Sequence, residues 1–126
     1  MLCLTVPVPA ANTGVSSRVK FFGTLPKYSD VLEKLGQSHG LMHPALPEGF
    51  GNGCLEAMAA GRPVCCPDIG GPAAHVTPET GFAAPIKDPA EAASTLANFL
   101  ECLDPDRVLL ARMSAAARAH ARNFFP

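Results

Sequence analysis

Short apolar runs alternate with stretches of helical period along this chain, and glycine or proline stands at most of the joins. Val19-Lys20-Phe21-Phe22 reads as a strand, followed by Gly23 and Pro26. Tyr28 to Leu35 reads as a short helix, with Val31, Leu32 and Leu35 on one face and Gly36 as its stop. Leu41-Met42-His43 is a short buried strand that leads into the loop Pro44–Gly51. A helix is predicted from about Asn52 to Ala60, on the helix formers Leu55, Glu56, Ala57, Met58 and Ala59. It ends at Gly61, before Pro63. Val64-Cys65-Cys66 is a second buried strand, and Pro67–Pro72 a second loop.

Asp88-Pro89-Ala90-Glu91 reads as a capping box with proline at the first helical position. The helix it opens runs to about Cys102, with Ala92, Leu96, Phe99, Leu100 and Leu103 inward. Asp104-Pro105-Asp106 opens the last helix in the same way, with Leu109, Met113, Ala116 and His120 on one face. Arg107, Arg112, Arg118 and Arg122 read as a solvated face of that helix.

Strands alternating with helices predict an α/β fold, a parallel sheet with right-handed crossovers and helices against it. Every strand-to-helix loop of such a sheet lies at its carboxyl edge, where open α/β folds bind ligands. Gly23–Pro26, Pro44–Gly51 and Pro67–Pro72 all belong to that class of loop, so one ligand edge is expected.

Composition narrows the picture. A chain of 126 residues is one domain's worth, and 48% hydrophobic against 17% charged residues makes it globular. The net charge of −1 leaves no basic excess for nucleic acid. No apolar stretch is long enough for a spanning helix. Met1–Ala10 lacks Lys and Arg and is broken by Pro7 and Pro9, which makes a poor signal peptide. Five cysteines with no C-x-x-C read as reduced core residues of a cytoplasmic protein, and Cys65 and Cys66 should point to opposite faces of their strand. His39, His43, His75 and His120 show no ligand spacing with these thiols, so no metal is expected.

The candidate chemistry lies between Pro44 and Val64. Gly49, Gly51 and Gly53 surround a helix start, and such a start offers unpaired N–H groups and a positive dipole end to a diphosphate. No Lys-Ser/Thr follows the glycines, so this is not a Walker A loop. Glu48 stands just before the helix and Glu56 inside it. An ionised carboxylate only accepts, which suits sugar hydroxyls. The same two residues also fit a plainer reading, Glu48 favouring the helix dipole and Glu56 lying on the surface. A glycoside hydrolase with Glu48 and Glu56 as acid and nucleophile is disfavoured, because the Gly-rich helix start between them suits a diphosphate better.

The segment resembles the donor-site signature of retaining GT-B glycosyltransferases of family 4, the glycosyl transferases group 1. It matches from Pro44 to Val64, through Glu48-Gly49-Phe50-Gly51 and Leu55-Glu56-Ala57-Met58-Ala59, with Ala45 where the signature has serine. Weaker likeness extends to Val19-x-Phe21-x-Gly23, to Asp68-x-Gly70-Gly71 and to the two last helices. It covers residues 19–125 and leaves 1–17 unplaced. Ala73 and Ala74 stand where the family often carries a glutamate.

The resemblance implies a Rossmann-like sheet flanked by helices, part of the C-terminal, donor-binding half of such an enzyme. It implies transfer of a sugar with retention from a nucleotide-sugar, such as a UDP- or GDP-sugar, without a metal or other cofactor. Glu48, as the catalytic carboxylate, would hydrogen-bond the donor sugar. The Gly49-Phe50-Gly51 backbone would line sugar and diphosphate, and the Cys54 and Leu55 N–H groups would face phosphate. Glu56 would take the ribose hydroxyls, and Lys20 would sit beside the base. The acceptor domain and the family's diphosphate-gripping Arg and Lys would lie upstream, in an N-terminal part that this sequence does not contain. The expected location is cytoplasmic, at the membrane face only through other regions. The alternative is a non-catalytic nucleotide-binding or interaction module built on the same fold.

Overall fold

A computed structural model describes residues 14, 16–46 and 49–125. Its elements are α1 (Tyr28–Gln37), β1 (Leu41–Met42), α2 (Asn52–Ala59), β2 (Val64–Pro67), α3 (Gly70–His75), β3 (Gly81–Ala84), α4 (Pro89–Leu103) and α5 (Arg107–Ala121). The three strands form one parallel sheet in the order β1-β2-β3. Leu41 pairs with Val64 and Met42 with Cys65, while Val64 to Pro67 pair with Gly81 to Ala84. The expected α/β fold, a parallel sheet with flanking helices, is the one observed.

β2 is buried at all four positions because both of its faces are covered. Cys66 and Val64 pack with Cys54, Leu55, Ala57 and Met58 of α2 and with Ala117 and Ala121 of α5. Cys65 packs on the other side with Ala84, Ala92 and Leu96, the last two from α4. The adjacent cysteines therefore face opposite layers, as their alternation requires. Leu55 and Met58 are almost wholly buried, and removing each from water contributes about 1.5–3 kcal/mol. α5 is further tied to the α2–β2 turn by the Ser114 hydroxyl, which donates to the Gly61 carbonyl. Arg62 Nη2 ties the same turn to α1 through the Gly36 carbonyl at 2.6 Å.

Several boundaries differ from the sequence reading, each for a physical reason. Val19–Phe22 forms no ladder and is not a strand. The Phe22 ring instead meets two cations, with Lys20 Nζ at 4.9 Å and Lys34 Nζ at 4.8 Å from its centroid, and the second fastens the segment to α1. Gly36 does not stop α1. The helix runs on to Gln37 and is closed by Ser38, whose hydroxyl donates to the Leu35 carbonyl at 2.8 Å. The end of the Pro67–Pro72 loop is helical, since α3 begins at Gly70 and tolerates Pro72 in its first turn. β3 was not foreseen. α4 begins as expected, with Asp88 accepting from the Ala90 N–H at 2.9 Å. α5 does not open at Asp104-Pro105: Asp104 closes α4, and the cap of α5 is Asp106, which accepts from the Leu109 N–H at 2.8 Å. The buried stripe of α5 is Met113, Ala117 and Ala121, with Leu109, Ala116 and His120 half-buried beside it.

The buried thiols give a direct check of this core. Burial, with Cys66 alongside, pushes the Cys65 thiol up to about 12, and burial with Asp68 nearby pushes Cys66 up to about 11. Both stay protonated in the folded chain where the unfolded thiols, near 9.0, ionise. Their contribution to stability is therefore full below about pH 9 and is lost as pH rises through the folded values. Iodoacetamide at pH 8 is expected to alkylate exposed Cys102 and to spare Cys54, Cys65 and Cys66 until denaturant is added. The urea midpoint should fall between pH 8 and 10.5, less so in Cys65→Ala. Rapid alkylation of Cys65 or Cys66 in the folded chain would contradict this packing.

Candidate functional site

β1 and β2 run parallel, so the segments that follow them leave from the same edge of the sheet. The loop after β1 and the turn into α3 meet there. A Cβ built on Gly71 would lie 1.8 Å from the Gly49 carbonyl oxygen and 2.4 Å from the Phe50 carbonyl carbon. A Cβ on Gly51 would lie 2.8 Å from the Pro72 nitrogen. Backbone rests directly on backbone, which only glycine permits. The expectation of a shared edge holds for the described residues of Pro44–Gly51 and for Pro67–Pro72, whereas Gly23–Pro26 follows no strand of the sheet.

Gly51 has a second duty. It is the N-cap of α2, with φ +81° in the left-handed region, and it turns the loop into the helix. Its carbonyl accepts from the Cys54 N–H at 3.0 Å and the Leu55 N–H at 3.2 Å. The two N–H groups expected to face phosphate thus share the Gly51 carbonyl, and the side chains of Cys54 and Leu55 are buried. A helix leaves the N–H groups of its first residues without a partner inside the helix, and the first residues of α2 are Asn52 and Gly53.

Glu56 stands in the second turn of α2 and is half-buried. The Tyr28 phenol, at the start of α1, is in hydrogen-bonding reach of its carboxylate, and that contact raises the phenol pKa above its ordinary 10.0. Tyr28 is otherwise exposed, so α1 presents an aromatic side chain beside the carboxylate at the ligand edge. Phe50 is 58% exposed, while its backbone is held: His75 Nε2 lies 2.9 Å from the Phe50 carbonyl oxygen. Lys20 is placed by the Phe22 ring, alongside Lys34. Glu48 lies outside the described residues. The sequence reading gave no role to Tyr28 or His75. Both reach their partners across 25 residues or more, which periodicity does not register.

Comparison with known proteins adds identity to this geometry. Residues 7–102 match the family model described as glycosyl transferases group 1. The D-inositol 3-phosphate glycosyltransferase of Streptomyces scabiei is 36% identical over 116 residues, covering 91% of this chain and 25% of that protein. The chain thus spans about a quarter of the length of the curated relatives it matches. Among solved structures, the sucrose-phosphate synthase of Thermosynechococcus elongatus superposes with TM-score 0.80 at 27% identity, covering 91% of this chain and 28% of that one. Anabaena Alr3699/HepE, solved in complex with UDP and glucose, superposes with TM-score 0.74 at 27% identity, covering 90% and 29%.

Proposed function

Because the chain belongs to the glycosyl transferases group 1 family, we propose that it forms the nucleotide-sugar-binding part of a retaining glycosyltransferase. The observation that carries this reading is the closed glycine edge: Gly49, Gly51 and Gly71 in backbone contact at the start of α2, with Glu56 standing in the next turn. A diphosphate is acceptor-only and fits the Asn52 and Gly53 N–H groups at the positive end of the helix. Glu56 accepts the two ribose hydroxyls, and Glu48 takes hydroxyls of the donor sugar and acts as the catalytic carboxylate. The Gly49-Phe50-Gly51 backbone lines sugar and diphosphate. The occupant is a UDP- or GDP-sugar, a class that the UDP and glucose of Alr3699/HepE support.

The reaction needs more than these residues. The departing nucleoside diphosphate develops negative charge, and fixed cations and dipoles lower that barrier. Lys20, Lys27 and Lys34 do not form the family's diphosphate grip. We place the grip and the acceptor-binding domain in a part of the protein outside these 126 residues. No helix among the described residues is long and apolar enough to cross a membrane, and the proposed setting is the cytoplasm. A second reading, a non-catalytic nucleotide-binding module, is favoured by Ala45, which stands where the family has serine, and by Ala73 and Ala74, which stand where it often carries a glutamate.

The test has two arms. The dipole supplies about 0.3–2 kcal/mol and a charge-assisted ribose contact about 1.5–3 kcal/mol. UDP or GDP should therefore bind the 126-residue chain with a high-micromolar to millimolar Kd. NMR titration in which neither shifts the Gly49–Glu56 resonances at several millimolar would remove the donor-site reading. The chain alone should transfer no sugar from a panel of nucleotide-sugars, because positioning and charge stabilisation are both incomplete. Clear turnover would show that the remainder of the machinery is dispensable. Transfer restored by joining the chain to a complete relative's upstream half separates the enzyme from the non-catalytic module.

A further inference from the structure

His75 is 6% exposed, at the end of α3, and no reading of the motif gives it a task. Its Nε2 faces the Phe50 carbonyl oxygen at 2.9 Å. A carbonyl can only accept, so Nε2 carries the proton in this contact. The ring stands edge-on to Phe50, with centroids 5.0 Å apart and planes at 72°. On its other sides lie Phe124, at 5.0 Å and 84°, and His120, at 6.4 Å and 66°. His75 therefore joins three parts of the fold: the glycine loop, the end of α3 and the end of α5.

Phe50 needs such a partner. Its side chain is mostly exposed and contributes little burial, so the loop is held through its backbone. The carbonyl that His75 engages lies between Gly49 and Gly51, the two residues packed against the α3 turn. We propose that His75 is a positioning residue of the nucleotide-sugar site: its Nε2–H fixes the Gly49–Gly51 loop in its binding form before the ligand arrives. The proposal rests on the donor-site reading for its consequence and on this geometry for the clamp itself.

Three readouts on the 126-residue chain test it. Nitrogen-15 spectra of the imidazole should show a proton on His75 Nε2, and a ring that carries its proton on Nδ1 alone overturns the proposal without any variant. His75→Leu keeps bulk and loses the donor, whereas His75→Gln places an amide N–H near the position of Nε2. The Cys54 and Leu55 amides, both bonded to the Gly51 carbonyl, should exchange faster with deuterium in His75→Leu and near the native rate in His75→Gln. UDP should bind His75→Leu about five- to tenfold more weakly and His75→Gln within about twofold of the native chain. If His75→Leu does not fold, His75→Asn, too short to reach the carbonyl, takes its place in both comparisons. Equal affinity and equal exchange in the donor and non-donor variants overturn the proposal. Faster exchange in a chain that binds no nucleoside diphosphate leaves the clamp standing and refutes the donor site instead.

Discussion

Gly71→Ala is expected to open the ligand edge and to eliminate measurable nucleotide binding. The new methyl would lie 1.8 Å from the Gly49 carbonyl oxygen, 2.4 Å from the Phe50 carbonyl carbon and 2.6 Å from the Phe50 Cα. All three atoms are backbone, so no side-chain rotation relieves the clash. The loop must move by more than an ångström, or the strand-to-α3 turn must. Overpacking of this kind costs about 1–3 kcal/mol, and a contact this short falls at or beyond the upper end. Moving the loop also pulls the Phe50 carbonyl from His75 Nε2 and disturbs Gly51, the N-cap of α2. Gly51→Ala should behave alike for two added causes: its φ of +81° is unfavourable for a side chain, and its Cβ would meet the Pro72 nitrogen at 2.8 Å. Gly36→Ala, near the C-terminal end of α1, is the control. Nothing lies within 4 Å of its Cβ, and alanine is the better helix former by up to about 1 kcal/mol. Urea unfolding and a UDP titration of the three variants decide the matter. A Gly71→Ala chain with native midpoint and native affinity would show that the two loops do not touch in solution.

The segment from Pro44 to Val64 was legible because two independent signals agree there. Apolar runs mark Leu41–His43 and Val64–Cys66 as buried strands, and the glycines between them announce a loop entering a helix. Elsewhere the signals were partial. Val19–Phe22 has the residues of a strand, but a strand exists only with a ladder partner, and Phe22 is taken up by Lys20 and Lys34 instead. Gly81-Phe82-Ala83-Ala84 has weak strand propensity and becomes β3 through its pairing with β2. α3 begins Gly-Gly-Pro, which reads as a turn, and docking against β2 and α2 makes it helical. The cap of α2 is Gly51, and its carbonyl takes both N–H groups that had been reserved for phosphate. His75 and Tyr28 were invisible for a different reason: their partners Phe50 and Glu56 are distant in sequence, and a single histidine or tyrosine carries no pattern.

Glu56→Ala is expected to weaken binding of a ribonucleoside diphosphate by at least about tenfold, and to leave its 2′,3′-dideoxy analogue nearly unchanged. A charge-assisted hydrogen bond contributes about 1.5–3 kcal/mol, which corresponds to roughly 10- to 100-fold in Kd. The analogue has no hydroxyls for the carboxylate to accept from, so it has nothing to lose. The Tyr28 contact sharpens the test. Tyr28 raises its pKa by donating to the same carboxylate, so the phenol and the ribose compete for Glu56 lone pairs. Tyr28→Phe removes that competitor while keeping the ring, and it should hold or modestly increase affinity for the ribonucleotide. In the Glu56→Ala background the same change should have no effect, since the shared partner is gone. NMR titration of the four proteins with both ligands gives the full cycle. Equal losses for the two ligands in Glu56→Ala would mean that the carboxylate does not hold the ribose. Its place beside Tyr28 would then be a contact between α1 and α2 alone.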